Sequence, residues 1–295
     1  MNILEKCTLC PHECNVNRLN GEVGRCKSDY RVKISLADLH YYEEPCISAK
    51  NGSGAVFFTG CNMNCKFCQN YEISQLCNGR ITTIKELANE FLKLQNKGAN
   101  NINLVTGCIY VPQIIEALKI AKKNGLRIPV VYNSSGYEKK ETIQMLDGYV
   151  DVYLPDLKYY YNDLAKNLSG INNYFEIATN AIKEMDRQVG NPIFDENGII
   201  KKGLIIRHLV LPNHLQNTKQ VLKWIKKNMS SDVFVSVMAQ YFPEYKALEM
   251  EDINRKLTYE EYTEIQDYID RIGVKNGYMQ DLEENEKKYV PKWNT

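Results

Sequence analysis

"NINLVTGCIYVPQIIEALKIAKKNG", residues 101–125, holds one complete structural unit. Residues 101–105 form a short strand-like run and Thr106 and Gly107 make a turn. Apolar residues at 114, 115, 118 and 121 then follow a helical period. Lys122, Lys123 and Gly125 close that helix, because cations and glycine are favoured where the last backbone carbonyls lack partners.

The same unit recurs on both sides. Strand-like runs stand at 55–59 (AVFFT), 128–132 (IPVVY), 150–154 (VDVYL), 204–211 (LIIRHLVL) and 233–239 (VFVSVMA). As a set they are too continuously apolar for strands wetted on one face, which suits a parallel sheet covered on both. Helical patterns occupy 83–98, 111–125, 219–228 and 258–273. Six such alternations predict an α/β protein, and a partial (β/α)6 TIM-like barrel is preferred to a doubly wound sheet. Segment 159–203 reads as a longer helical connection followed by a hairpin. The expected organisation is a cysteine-rich N-terminal metal-binding segment (1–54), the β/α array (55–275) and a charged C-terminal tail (276–295) lying on the surface.

Composition narrows the function. Lys plus Arg number 37 and Asp plus Glu 36, a balance that gives nucleic acid no electrostatic footprint. No apolar run approaches the roughly 18 residues of a membrane span, and the first thirty residues lack a signal peptide's apolar core. A cytoplasmic location is therefore expected. Nine of the ten cysteines fall within the first 77 residues, and in a reducing compartment such crowding points to metal ligands rather than disulfides.

In a parallel β/α array the chemistry gathers at the C-terminal ends of the strands. The six runs end there in Cys61, Cys65 and Cys68, in Thr106, in Asn133 and Ser135, in Asp156 and Lys158, near Arg207, and in Gln240. "GCNMNCKFCQN" (60–70) spaces its thiols C-x3-C-x2-C, one short of the four ligands of a closed structural site. A zinc knob completed by Cys77 or another cysteine is one reading. The other is a [4Fe-4S] cluster with one iron left open, where S-adenosylmethionine supplies the missing ligand and radical chemistry follows.

The triplet, with Phe67 before its last cysteine, resembles the radical S-adenosylmethionine superfamily. "CTLCPHECNVNRLNGEVGRC", "YYEEPCIS", "VVYNSSGYE", "VYLPDLKY" and "VSVMAQYFPEYKA" extend the resemblance to the PflX group of pyruvate formate-lyase-activating-enzyme-like proteins. The resemblance implies reductive cleavage of S-adenosylmethionine to a 5′-deoxyadenosyl radical that takes hydrogen from a substrate. It places Phe67 near the adenine, Asn133 and Ser135 at the ribose or carboxylate, and Asp156, Lys158 and Arg207 deeper. Such relatives carry a Gly-Gly-Glu-type segment for the cofactor's amino group. Here it is Thr106-Gly107-Cys108, so Thr106 or backbone carbonyls would have to serve. An electron donor such as flavodoxin or ferredoxin is implied, and a glycyl radical enzyme is one partner the resemblance allows.

Cys7, Cys10, Cys14 and Cys26 form C-x2-C-x3-C-x11-C on a Gly- and Asn-rich segment, which predicts a second metal centre, zinc or iron–sulfur. Cys46, just before the first run, reads as a spare ligand or a buried thiol, and His40, Glu43 and Glu44 close by bear on the same pocket. His12 reads as a solvated side chain, Cys77 as a bystander and Cys108 as a small buried hydrophobe on the active rim. Two enzymatic readings stand, one on a glycine loop of a partner enzyme and one on a small molecule or peptide. A non-catalytic iron–sulfur electron carrier is the third.

Overall fold

The computed structural model describes residues 3–282, 290, 291 and 293. The other positions of the expected 276–295 tail lie outside the described residues. The chain opens with β1 (Val32–His40), α1 (Pro45–Ser48), β2 (Ser53–Phe58) and α2 (Tyr71–Ser74). Next come β3 (Arg80–Thr82), α3 (Ile84–Asn96), β4 (Ile102–Val105), α4 (Val111–Lys123), β5 (Val130–Ser134), α5 (Lys140–Gln144) and β6 (Val152–Pro155). Then follow α6 (Asn162–Ser169), α7 (Tyr174–Val189), β7 (Ile193–Phe194), β8 (Ile200–Leu209), α8 (Leu215–Asn228), β9 (Phe234–Met238), α9 (Tyr259–Ile272) and β10 (Gly277–Met279).

All six predicted runs are strands. They lie in one sheet in the order β10-β9-β8-β6-β5-β4-β2-β1-β3, and every neighbouring pair from β2 to β10 is parallel. Across the parallel part, from β2 to β10, the order never doubles back, whereas a doubly wound sheet reverses at a switch point. The fold is a mostly parallel α/β sheet. Every residue of β2, β4, β5 and β6 is buried, which is why these runs read as continuous rather than alternating.

The helices begin where their caps say. Thr83 and Thr258 each accept from the backbone of a Glu three residues on, and that Glu reaches back, closing a capping box. Segment 159–203 contains α6, α7 and the β7–β8 hairpin. The sheet also runs past both expected limits. β1 pairs antiparallel with β2 from within 1–54, and β10 extends the sheet from within 276–295.

The short α1 covers one end of the sheet's inner face. Its Cys46 and Ile47 pack with Val131, Val152, Leu154 and Ile205. Asn101 Nδ2 donates to Ile47 O at 2.9 Å and Asn100 Nδ2 to Ser48 O at 2.7 Å, so the C-terminal end of the plug is tied down. The two residues just before it, Glu43 and Glu44, are thereby fixed beneath the strand ends.

Candidate active site

The loop after β2 turns through Gly60, whose φ of +80° and close approach to Cys26 O leave no room for a side chain. Cys61, Cys65 and Cys68 follow and line one cavity of about 640 Å³. Phe67, Thr106, Asn133 and Ser135 line it too, as do Asp156, Lys158, Arg207 and Gln240. The structure thus gathers these predicted residues from six strand ends. Gly107 and Cys108 do not line it. A Cβ on Gly107 would strike Ile114 Cδ1 at 2.7 Å, and Cys108 is 4% exposed within the core. The rim position expected for Cys108 is therefore corrected: its short 3-10 turn directs it inward.

Each thiol has a hydrogen-bond partner behind it. Ser169 Oγ donates to Cys65 Sγ at 3.0 Å, Met63 N to Cys61 Sγ at 3.4 Å, and Ser74 Oγ lies 3.2 Å from Cys68 Sγ. The loop is pinned to the end of α6 by Asn64 N to Ser169 O and Lys66 N to Leu168 O. Burial pushes all three thiols upward, Cys65 to about 11, and the Lys158 ammonium pulls each back toward the thiolate. A metal centre would supply the rest of that charge compensation.

Below the thiols lies a charged floor. Arg207 donates from Nε to Asp156 Oδ1 at 2.9 Å, from Nη1 to Glu43 Oε2 at 3.1 Å and from Nη2 to Asn133 Oδ1 at 2.6 Å. Lys158 Nζ donates to Asp156 Oδ2, and Glu43 Oε1 accepts from Asn103 and Asn133. Burial raises Asp156, but Arg207 and Lys158 outweigh it and hold the carboxyl below the usual range. Burial likewise opposes the Arg207 charge, and Asp156, Glu44 and Glu43 keep it fully protonated. Gly136, at φ +79°, lets the end of β5 approach Asp156 O, where a Cβ would stand 2.2 Å away. Tyr174 Oη, 2.9 Å from both Ser135 O and Asp156 O, ties those two strand ends together.

Three features were not read from the sequence. Ser74 and Ser169 were missed because a serine in or closing a helix carries no signal of what it faces. Thr106 sits at φ +61°, an uncommon conformation for a β-branched residue, of the kind that clusters at functional sites. Asn133 is bonded at both ends of its amide within the floor, and the Arg207 fork is filled by this chain's own acceptors.

The N-terminal segment folds against the same region. Arg18, 1% exposed, donates from Nη1 to Ile109 O at 2.6 Å and from Nε to Asp29 O at 3.0 Å. His12 is not solvated as expected: Nε2 lies 2.7 Å from Asn62 O and the ring meets Tyr137 edge-on. Burial pushes Cys10 to about 12, and the charges of Cys26, Cys14 and Cys7 push the same way. Among the described residues no three His, Cys, Asp or Glu side chains form a group that could hold a metal ion. A four-iron cluster takes one thiolate per iron, so its three thiols need not converge on a single ion. Three soft donors facing one cavity, with a cation beside them, fit such a cluster. Cys77 lies in a separate shallow hollow with Lys33 and Arg80, so the zinc knob it would complete does not form.

The radical SAM superfamily model matches residues 55–191. Over 272 residues the chain is 39% identical to "Uncharacterized protein MJ0674" of Methanocaldococcus jannaschii, spanning 88% of this chain and 73% of that protein. A shorter match, 26% identical over 120 residues, covers 39% of this chain and 49% of the pyruvate formate-lyase-activating enzyme of Clostridium pasteurianum. Among solved structures, methylornithine synthase (PylB) aligns with a TM-score of 0.51 at 18% identity, over 74% of this chain and 60% of its own. HydG, a maturase of the [FeFe]-hydrogenase, aligns with a TM-score of 0.50 at 14% identity, over 78% and 52% respectively. These two likenesses speak to the fold alone. No helix among the described residues is long and apolar enough to cross a membrane. The sheet, the three-cysteine loop and the sequence matches agree: this chain belongs to the radical SAM superfamily and is an enzyme that uses a [4Fe-4S] cluster and S-adenosylmethionine.

Proposed function

We propose that Cys61, Cys65 and Cys68 hold the cluster and that the charged floor beneath them holds the substrate from which hydrogen is taken. The observation that carries this reading is the single cavity in which three thiols and the Arg207–Asp156–Lys158–Glu43 network face one another. When bound, the cluster and S-adenosylmethionine together supply the electron transfer that breaks a carbon–sulfur bond and leaves a hydrogen-abstracting radical. The chain's own residues bind, orient and enclose. Phe67, edge-on to Tyr241, offers an aromatic face to the adenine. Thr106 and Ser135 present polar groups at the rim, and Gln240, held by Gln280 Nε2 at 2.5 Å, closes the far side.

Residues from both halves of the sheet, Phe57 of β2 and Tyr278 of β10, line the same cavity, which supports a sheet curved as a partial barrel. The likeness to an activating enzyme supports a glycine-bearing loop of a partner as substrate and an external one-electron donor such as flavodoxin or ferredoxin. The buried, ion-paired floor favours a second reading, a small molecule or short peptide that enters whole. From their C-x2-C-x3-C-x11-C spacing, the four N-terminal thiols are read as a supporting metal centre, zinc or iron–sulfur. The test is the electron paramagnetic resonance signal of the reduced, reconstituted protein. In the wild type it changes on addition of S-adenosylmethionine, and C61A loses that responsive component; an unchanged signal in both refutes the assignment.

A further inference from the structure

The floor carries one anion too many. Arg207 and Lys158 are its two cations, and their short contacts go to Asp156 and Glu43. Glu44 is the third carboxylate of the floor. It lines the cavity, is 7% exposed, and its Oε2 accepts no hydrogen bond. No ion pair reaches it among the described residues. The Arg207 charge acts on it from a distance, and the Ser236 hydroxyl beside it favours the ionised form, while burial works against that form. A buried carboxylate with an unpaired oxygen and no counter-ion is strongly disfavoured unless something else brings positive charge.

We propose that the substrate carries a protonated amine and that Glu44 receives it. This rests on the reading of the cavity as the radical site. A metal ion does not suit the position, because no third ligand stands with Glu43 and Glu44. A guanidinium suits it poorly, because its fork asks for two free oxygens and only one is unpaired. A compact ammonium needs only a point of negative charge and acceptors around it, and Glu44 with Ser236 provides both.

The amino group of S-adenosylmethionine is the competing occupant. Its place is the open cluster iron, at the thiolate rim. Glu44 instead adjoins α1, whose Cys46 and Ile47 pack on Val131, Val152, Leu154 and Ile205, and its neighbour Glu43 reaches Asn103 inside β4 as well as Asn133 and Arg207. The amine that Glu44 holds is therefore assigned to a second molecule, on the α1 side of the cavity.

The test uses reconstituted, S-adenosylmethionine-loaded wild type and E44Q under anaerobic conditions. The probes are n-butylamine, 1,4-diaminobutane, glycinamide and L-lysine, each against its hydroxyl counterpart, with binding read by equilibrium dialysis and thermal shift. At least one amine should bind the wild type with about tenfold preference over its hydroxyl counterpart, and E44Q should lose that preference. Without any probe, E44Q should melt above the wild type, since it removes an uncompensated charge at constant size. If no amine distinguishes the two proteins, or if E44Q melts lower, the inference is overturned. Weakened S-adenosylmethionine binding in E44Q, read from the cluster's resonance signal, overturns it as well and gives Glu44 to the cofactor. If the wild-type signal does not respond to S-adenosylmethionine, it is the radical-site reading that fails.

Discussion

Ser169 Oγ, at the last residue of α6, donates a hydrogen bond of 3.0 Å to Cys65 Sγ. Tyr159 Oη lies 2.6 Å from the same hydroxyl, so Ser169 is oriented from behind by a fully buried side chain. A hydroxyl bond to a ligand sulfur stabilises the electron-rich state of a cluster. S169A should lower the cluster's reduction potential by about 20–60 mV, the equivalent of about 0.5–1.5 kcal/mol for one electron. A redox titration followed by electron paramagnetic resonance reads this directly. S74A should shift the potential in the same direction, and an unchanged midpoint in both would show the hydroxyls to be packing only.

Removing Arg207 should damage stability as well as binding. R207A leaves Glu43 and Asp156 facing each other with Lys158 alone to balance them, and breaking a buried pair in this way costs about 3–5 kcal/mol. R207K should rescue little, because three acceptors on three elements are met by one planar fork. In denaturant unfolding, R207M combined with E43Q should recover part of the loss.

His208 sets a pH limit. It is fully buried, with Nδ1 2.6 Å from Leu157 O and Nε2 2.9 Å from Thr218 Oγ1, a pairing that suits the neutral ring. Burial lowers it from 6.5 to about 4. The unfolded chain takes up a proton below 6.5 that the folded chain refuses until about 4. The stability contribution is therefore complete above pH 6.5 and is lost as pH falls toward 4, by about 3 kcal/mol at most. Unfolding free energies measured between pH 8 and pH 4 should show this loss, and H208N should flatten it. A slope unaffected by H208N would assign the loss to other groups.

Thr106 separates strain from function. At φ +61° a glycine would relieve backbone strain of about 1–2 kcal/mol. T106G should therefore raise the unfolding free energy while weakening S-adenosylmethionine binding. Higher stability with unchanged binding would show the hydroxyl to be idle.

The sequence displayed the repeating part of the fold because those strands are buried on both faces and their helices are capped by local residues such as Thr83 and Thr258. It hid β1, β3 and β10, whose pairing depends on distant partners rather than on local pattern. The Cys61–Cys65–Cys68 loop was legible because ligand spacing lies within eight residues. Glu43 and Glu44 were visible only as neighbours of Cys46. Their role depends on α1 plugging the sheet and on Arg207, 164 residues away, meeting Glu43. Asn133 was expected at the ribose or carboxylate of the cofactor and Arg207 deeper in the pocket, and the structure engages both within the floor.

The most direct test is anaerobic reconstitution with iron and sulfide, reduction with dithionite and addition of S-adenosylmethionine, with iron counted per chain and 5′-deoxyadenosine measured by chromatography. The account predicts 5′-deoxyadenosine from the wild type and none from C61A. Iron should be about four per chain for one [4Fe-4S] cluster, or about eight if the N-terminal thiols hold a second. A fully loaded, reduced wild type that forms no 5′-deoxyadenosine, with or without an amine in the cavity, would contradict it.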